Sequence, residues 1–102
     1  MKKTYPEEVT ESLRLYVLYS LAEMNGTAND SVLLARAEKF CFRSFGRDRF
    51  RAELRWMERQ GLIEFSKIED ADCYGVELTT YGDDVCHGRE RLEGVQHPMM
   101  RR

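Results

Sequence analysis

The sequence predicts an α+β domain with a core of three helices, a two-stranded β-hairpin and a short C-terminal helix. Two observations carry the prediction. The first is the stretch GRDRFRAELRWMERQGLI, residues 46–63. There Phe50, Leu54 and Met57 recur at i, i+4 and i+7, which places three apolar side chains on one face of a helix. Gly61 ends that helix in the left-handed conformation that glycine adopts cheaply, and Leu62, Ile63 and Phe65 then follow the alternation of a half-buried strand. The second observation is the setting of that stretch, with two helical segments before it, joined to it by a short link, and one hairpin after it.

Composition bounds the class. At 102 residues the chain has the length of a single domain with one modest core, residues 1–102, ending in a polar tail from about Arg89 to Arg102. Apolar residues make up 42% and charged residues 33%, a globular rather than a disordered or fibrous balance. No apolar run reaches the roughly 20 residues that span a bilayer, and MKKTYPEEVTE lacks the apolar centre of a signal peptide, so no membrane partner and a cytoplasmic location are expected. Three cysteines, Cys41, Cys73 and Cys86, form no CxxC pair and are read as reduced thiols. The net charge of −2 is unevenly spread: residues 36–59 hold eight Lys or Arg against four Asp or Glu, a net +4, so the remainder carries −6. A basic segment within an acidic chain suits a directed electrostatic contact.

Helix 1 starts near Pro6, which is tolerated in a first turn, with Glu7 and Glu8 at the positive end of the helix dipole. Val9, Leu13, Val17 and Leu21, widened by Tyr16, Leu18 and Met24, run to a stop at Asn25-Gly26. Residues 27–30 read as a loop whose Asn29 or Asp30 caps helix 2. In helix 2, from about Ser31, Val32, Leu33, Ala37, Phe40 and Cys41 pack inward and Arg36, Lys39 and Arg43 stay outside. Gly46 breaks the chain before helix 3 begins near Arg47. Leu62 to Ile68 and Tyr74 to Leu78 form the hairpin around the turn at residues 69–72, and Thr79 or Thr80 caps a final helix through Val85 and Cys86 to about Gly88.

Helix, helix, short turn, helix and hairpin is the order of a winged helix-turn-helix. RWMERQGLI followed by VELTTYGDDVCHG resembles the common form of such domains, in which a helix end leads to Gly-Leu-Ile and the returning strand ends in Leu-Thr-x-x-Gly. Extended by GRERLEGVQHP, the layout is similar to a family of small winged-helix proteins of Mu-like bacteriophages and prophages, over roughly Leu13 to Pro98. The resemblance implies a DNA-binding or regulatory protein of the bacterial cytoplasm and brings no catalytic residues. In one departure, Glu69, Asp70 and Asp72 make this wing acidic, which sets it against phosphate contact.

Helix 3 carries the chemistry. Arg47, Arg51, Arg55 and Arg59 repeat every four residues as a slowly winding cationic ridge, joined by Arg49. In the usual docking of such a helix in the major groove of double-stranded DNA, Arg47, Arg49 and Arg51 at its N-terminal end read bases, and Arg43, Arg55 and Arg59 contact phosphates. Against this stands a solvated face neutralised by Asp48, Glu53 and Glu58. Trp56 is expected at the edge of the core or under the hairpin. Cys86-His87, with Cys41, Cys73 and His97, lacks the pair spacing of a structural zinc site, so neither metal nor cofactor is expected. No nucleophile and base motif points to an enzyme. Tyr16, Leu18 and Tyr19 exceed what two partner helices need, so helix 1 or the tail, through Val95, Met99 and Met100, is a candidate homodimer surface or its cover. The alternative to a phage-type transcriptional regulator is a non-catalytic winged-helix protein-interaction module that never touches DNA.

Overall fold

The computed structural model describes residues 2–40, 42, 45–69 and 71–98. The expectations for Cys41, Arg43, Asp70, Met99 and Met100 lie outside the described residues. Helix α1 (Tyr5–Glu23) is the element on which the others assemble. A capping box starts it: the Thr4 hydroxyl accepts the Glu7 N–H at 3.3 Å and the Glu7 carboxylate accepts the Thr4 N–H at 2.8 Å. Leu13, Leu15, Val17, Leu18 and Leu21 are all buried, more than one stripe can hold, because α1 meets neighbours on several sides.

Strand β1 (Thr27–Asn29) occupies the segment expected as a loop. It lies antiparallel to β3 (Tyr74–Leu78), with Ala28 opposite Val76, and β3 also pairs with β2 (Ile63–Lys67). The two-stranded hairpin is therefore part of a three-stranded antiparallel sheet in the order β1-β3-β2. Three residues are too few to show a period, and it is the free edge of β3 that makes them a strand. Helices α2 (Asp30–Lys39), α3 (Gly46–Arg59) and α4 (Thr80–Cys86) complete an α+β fold of four helices and one sheet. The order is compatible with a winged helix.

Asn29 caps α2 by accepting the Val32 N–H at 2.8 Å. In α2, Leu33 and Ala37 are buried as expected, and Leu34 joins them. Val32 and Phe40 do not pack inward: they are 44% and 59% exposed, Phe40 being the C-cap of a helix that ends one turn early. Phe42 and Phe45, in the link, fill the core in their place, with ring centroids 6.2 Å apart. In α3, Phe50, Leu54 and Met57 are buried as the spacing requires, and Gly61 follows at φ +83°.

Thr79 fastens the end of β3 to the end of α3. Its hydroxyl donates to the Gly61 and Leu62 carbonyls at 2.7 and 2.9 Å and accepts the Gly82 N–H at 2.9 Å, capping α4. Gly82 then passes so close that a Cβ there would sit 2.1 Å from the Leu62 carbonyl oxygen. This is the physical need behind Leu-Thr-x-x-Gly. Residues 89–98 are not a free polar tail. Val95 is buried, the Gln96 N–H donates to the Glu11 carbonyl at 3.2 Å, and Gly94 lies against Trp56. Gly82→Ala is expected to destabilise the fold by about 3 kcal/mol through overpacking against backbone, read as a lower Tm by circular dichroism.

Candidate nucleic-acid interface

The six arginines singled out by sequence do not share one environment. Arg47, Arg49, Arg55 and Arg59 are exposed, Arg51 is half-buried and Arg43 is outside the described residues. Arg47 sits over the start of α2, where it donates to the Ser31 hydroxyl at 3.2 Å. Arg49 turns the other way, to the Thr10 hydroxyl of α1 at 3.3 Å, with its guanidinium 4.4 Å above the Phe45 ring. A helical step of two residues rotates side chains by about 200°, so Arg49 cannot join the ridge of Arg47, Arg51 and Arg55. Two flanks of α3 are cationic, not one.

Arg51 is committed within the protein. Its Nε donates to the Asp30 carboxylate at 2.5 Å, its Nη2 donates to the Asp72 carbonyl at 3.1 Å, and its guanidinium lies 4.8 Å from the Tyr74 ring. Asp30 is 2% exposed, and its second oxygen accepts the Tyr74 N–H at 2.9 Å. This carboxylate, a spare cap in the sequence, joins α2, α3 and β3. Burial opposes its ionisation, but the Tyr74 N–H and the Arg51 and Arg47 charges outweigh that and hold its pKa below the ordinary 3.8.

Beside this clamp, Phe65 and Tyr74 stack at 4.6 Å on the hairpin. Arg55 stands 5.2 and 5.4 Å from their ring centres and Lys67 stands 5.6 Å from that of Tyr74. Sequence reasoning missed Asp30, Phe65, Tyr74 and Lys67 as parts of this surface. Cross-strand pairing of Lys67 with Tyr74, and of Phe65 with Val76 beside it, is the register signal that gathers the last three.

Of the acids expected to neutralise α3, Glu53 is drawn to α1, while Asp48 and Glu58 stay exposed on α3 itself. Glu53 pairs with Arg14 of α1 at 2.8 Å, and among the described residues no carboxylate lies within ion-pair distance of Arg47, Arg49, Arg55 or Arg59. Arg14 also covers Trp56, 3.7 Å from its ring centre, so Trp56 packs at the core edge beneath Arg14 and Gly94, not under the hairpin. The apolar excess of α1 is largely consumed within the chain, with Leu18 in the core and Tyr19 edge-on to His87. Tyr16 stacks on exposed Phe40 at 4.7 Å. Among the described residues no helix is long and apolar enough to cross a membrane.

The chain is 35% identical over 97 residues to the uncharacterized protein gp26 of Escherichia phage Mu, which covers 91% of this chain and 94% of gp26. The chain belongs to the gp26 family. An uncharacterized protein of Haemophilus influenzae is 31% identical over 67 residues, 66% of this chain and 65% of that protein. No protein-family model and no solved structure matches. The phage relationship read from the sequence therefore holds, and gp26 itself carries no assigned activity to transfer.

Asp30→Ala is expected to cost about 3–5 kcal/mol, because it strands Arg51 and the Tyr74 N–H; urea unfolding measures it. Since folding lowers the Asp30 pKa, its contribution is complete above about pH 4 and is lost as pH falls through the folded value. Asp30→Asn should flatten that acid limb of the stability profile.

Proposed function

We propose that this gp26-family chain is a winged helix-turn-helix protein, a phage- or prophage-type transcriptional regulator that binds double-stranded DNA in the bacterial cytoplasm with α3 in the major groove. The observation that carries the reading is the row of exposed Arg47, Arg55 and Arg59 along α3, none of them in an ion pair with a described carboxylate, continued by Lys67 on the hairpin. Arg47, at the N-terminal end of α3, reaches base edges; Arg55 and Arg59 grip phosphates, and Arg49 meets the backbone on the α1 flank. Arg51 adds positive potential while its donors hold Asp30, so it positions the helix against the hairpin rather than reading bases. The reading assigns no catalysis.

A second reading, a non-catalytic protein-interaction module, is favoured by a different surface. A depression of about 640 Å³ between α1 and α2 is lined by Tyr16, Tyr19, Phe40 and Phe42. Its exposed Phe40 suits an apolar partner, including a second copy of the chain. The hairpin turn keeps exposed Glu69 and Asp72, which suit no polyanion.

Titration of fluorescent duplex fragments from the surrounding genome, at several salt concentrations, separates the two. DNA binding is expected to weaken steeply with salt, and Arg55→Ala should reduce the slope of log K against log salt by about one phosphate's worth, ~0.9. Arg47→Ala should cost about 1–3 kcal/mol on the preferred site and less on other sequences. Absence of binding at low salt would transfer the reading to the interaction module.

A further inference from the structure

The C-terminal end of α4 gathers three donor types that Cys and His spacing alone did not bring together. Asp83, Cys86 and His87 stand at i, i+3 and i+4, so one helical turn aligns them, and their ligand atoms all lie within 4.8 Å of one another. Cys86 Sγ is 3.4 Å from His87 Nδ1, and His87 Nδ1 is 3.2 Å from Asp83 Oδ1. Ligands held at about 2.0–2.3 Å from one tetrahedral ion stand ~3.3–3.7 Å apart, so both separations are close to those of neighbouring ligands. We propose that Asp83, Cys86 and His87 bind a zinc-class divalent cation, with the fourth position open to solvent.

The surroundings fit that chemistry. Arg89 holds the other oxygen of Asp83 at 2.6 Å and Asp84 at 2.8 Å, which leaves Asp83 Oδ1 facing His87, as a hydrogen-bonded metal carboxylate is held. Tyr19 packs edge-on to the imidazole with centroids 6.2 Å apart and limits its rotation. The Asp83 carbonyl accepts the Cys86 thiol at 3.4 Å and stands 2.9 Å from His87 Nδ1; ligation would replace both contacts, and the carbonyl keeps the His87 backbone N–H at 3.1 Å. Binding releases the Cys86 thiol proton to solvent, and the thiolate, imidazole and carboxylate set selects zinc over magnesium or calcium. Cys86 is buried while His87 and Asp83 are about two-fifths exposed, so the entry path lies on their side. The ion would close the last turn of α4 onto its C-cap His87, and the site is independent of any DNA reading.

The test is cobalt(II) titration of the reduced, chelator-washed chain. One equivalent is expected to give a thiolate-to-cobalt charge-transfer band with visible bands of four-coordinate cobalt, and zinc should bleach both. His87→Ala, at an exposed position, should remove the band while circular dichroism stays native, and Arg89→Ala should weaken binding by about 10–100-fold. Cys86→Ser should also remove it. A missing charge-transfer band, or one that His87→Ala retains at full affinity because Cys41 or Cys73 supplies the thiolate, would overturn the assignment.

Discussion

A single buried carboxylate holds the parts of this fold in register. Asp30 would be costly to ionise in the core without partners, and two neighbouring elements each supply one. Its own helix places it there, Arg51 of α3 brings the charge and Tyr74 of β3 brings a backbone N–H. Any drift of the hairpin relative to α3 would open one of those bonds. The pitch of α3 against the sheet, and hence the direction of its exposed arginines, follows from this pair.

That constraint divides the arginines of α3 by role. Four residues apart, Arg47, Arg51 and Arg55 share a side of the helix, yet the middle one is spent on the fold while its neighbours face solvent. Glu53, two residues from Arg51 and so on the other side of the helix from it, is drawn to Arg14 and no longer opposes the cationic ridge. Segregation of charge along the chain thus becomes segregation in space. The ion pair with α1 removes one of the three acids of α3 from the side that Arg47 and Arg55 share.

The same economy governs α1. Its apolar surface exceeds what α2 and α3 cover, and α4, the sheet and residues 89–98 take the remainder. Arg14, Trp56 and Gly94 form the clasp on that side, with the Arg14 guanidinium donating to the Gly94 carbonyl at 2.8 Å and covering the indole. What is left over is Phe40, stacked on half-buried Tyr16 and exposed because α2 ends before Phe40 can turn inward. At the other end of the molecule's chain order, the neutral Cys86 thiol, pushed up to about 11 by burial and by the Asp83 charge, against a smaller opposing effect of Arg89, is unsuited to nucleophilic work by itself.

The amino-acid sequence by itself determined the helices, the glycine stops of α1 and α3, the hairpin and the buried face of α3, because periodicity records which side chains share one face of one element. Phe50, Leu54 and Met57 needed no partner to be placed, while of the two candidate caps Thr79 and Thr80 it is Thr79 that caps α4. Local pattern also overreached: it turned Val32 and Phe40 inward, where only the packing of Phe42 and Phe45 could decide otherwise. Tertiary structure alone decided β1, whose three residues carry no period of their own, and the fate of Asp30, whose partners lie 21 and 44 residues away. It alone decided which arginines of α3 are held in ion pairs within the chain. The physical reason is the same in each case: a short segment or a single charge takes its state from the neighbour that satisfies it, and topology chooses that neighbour.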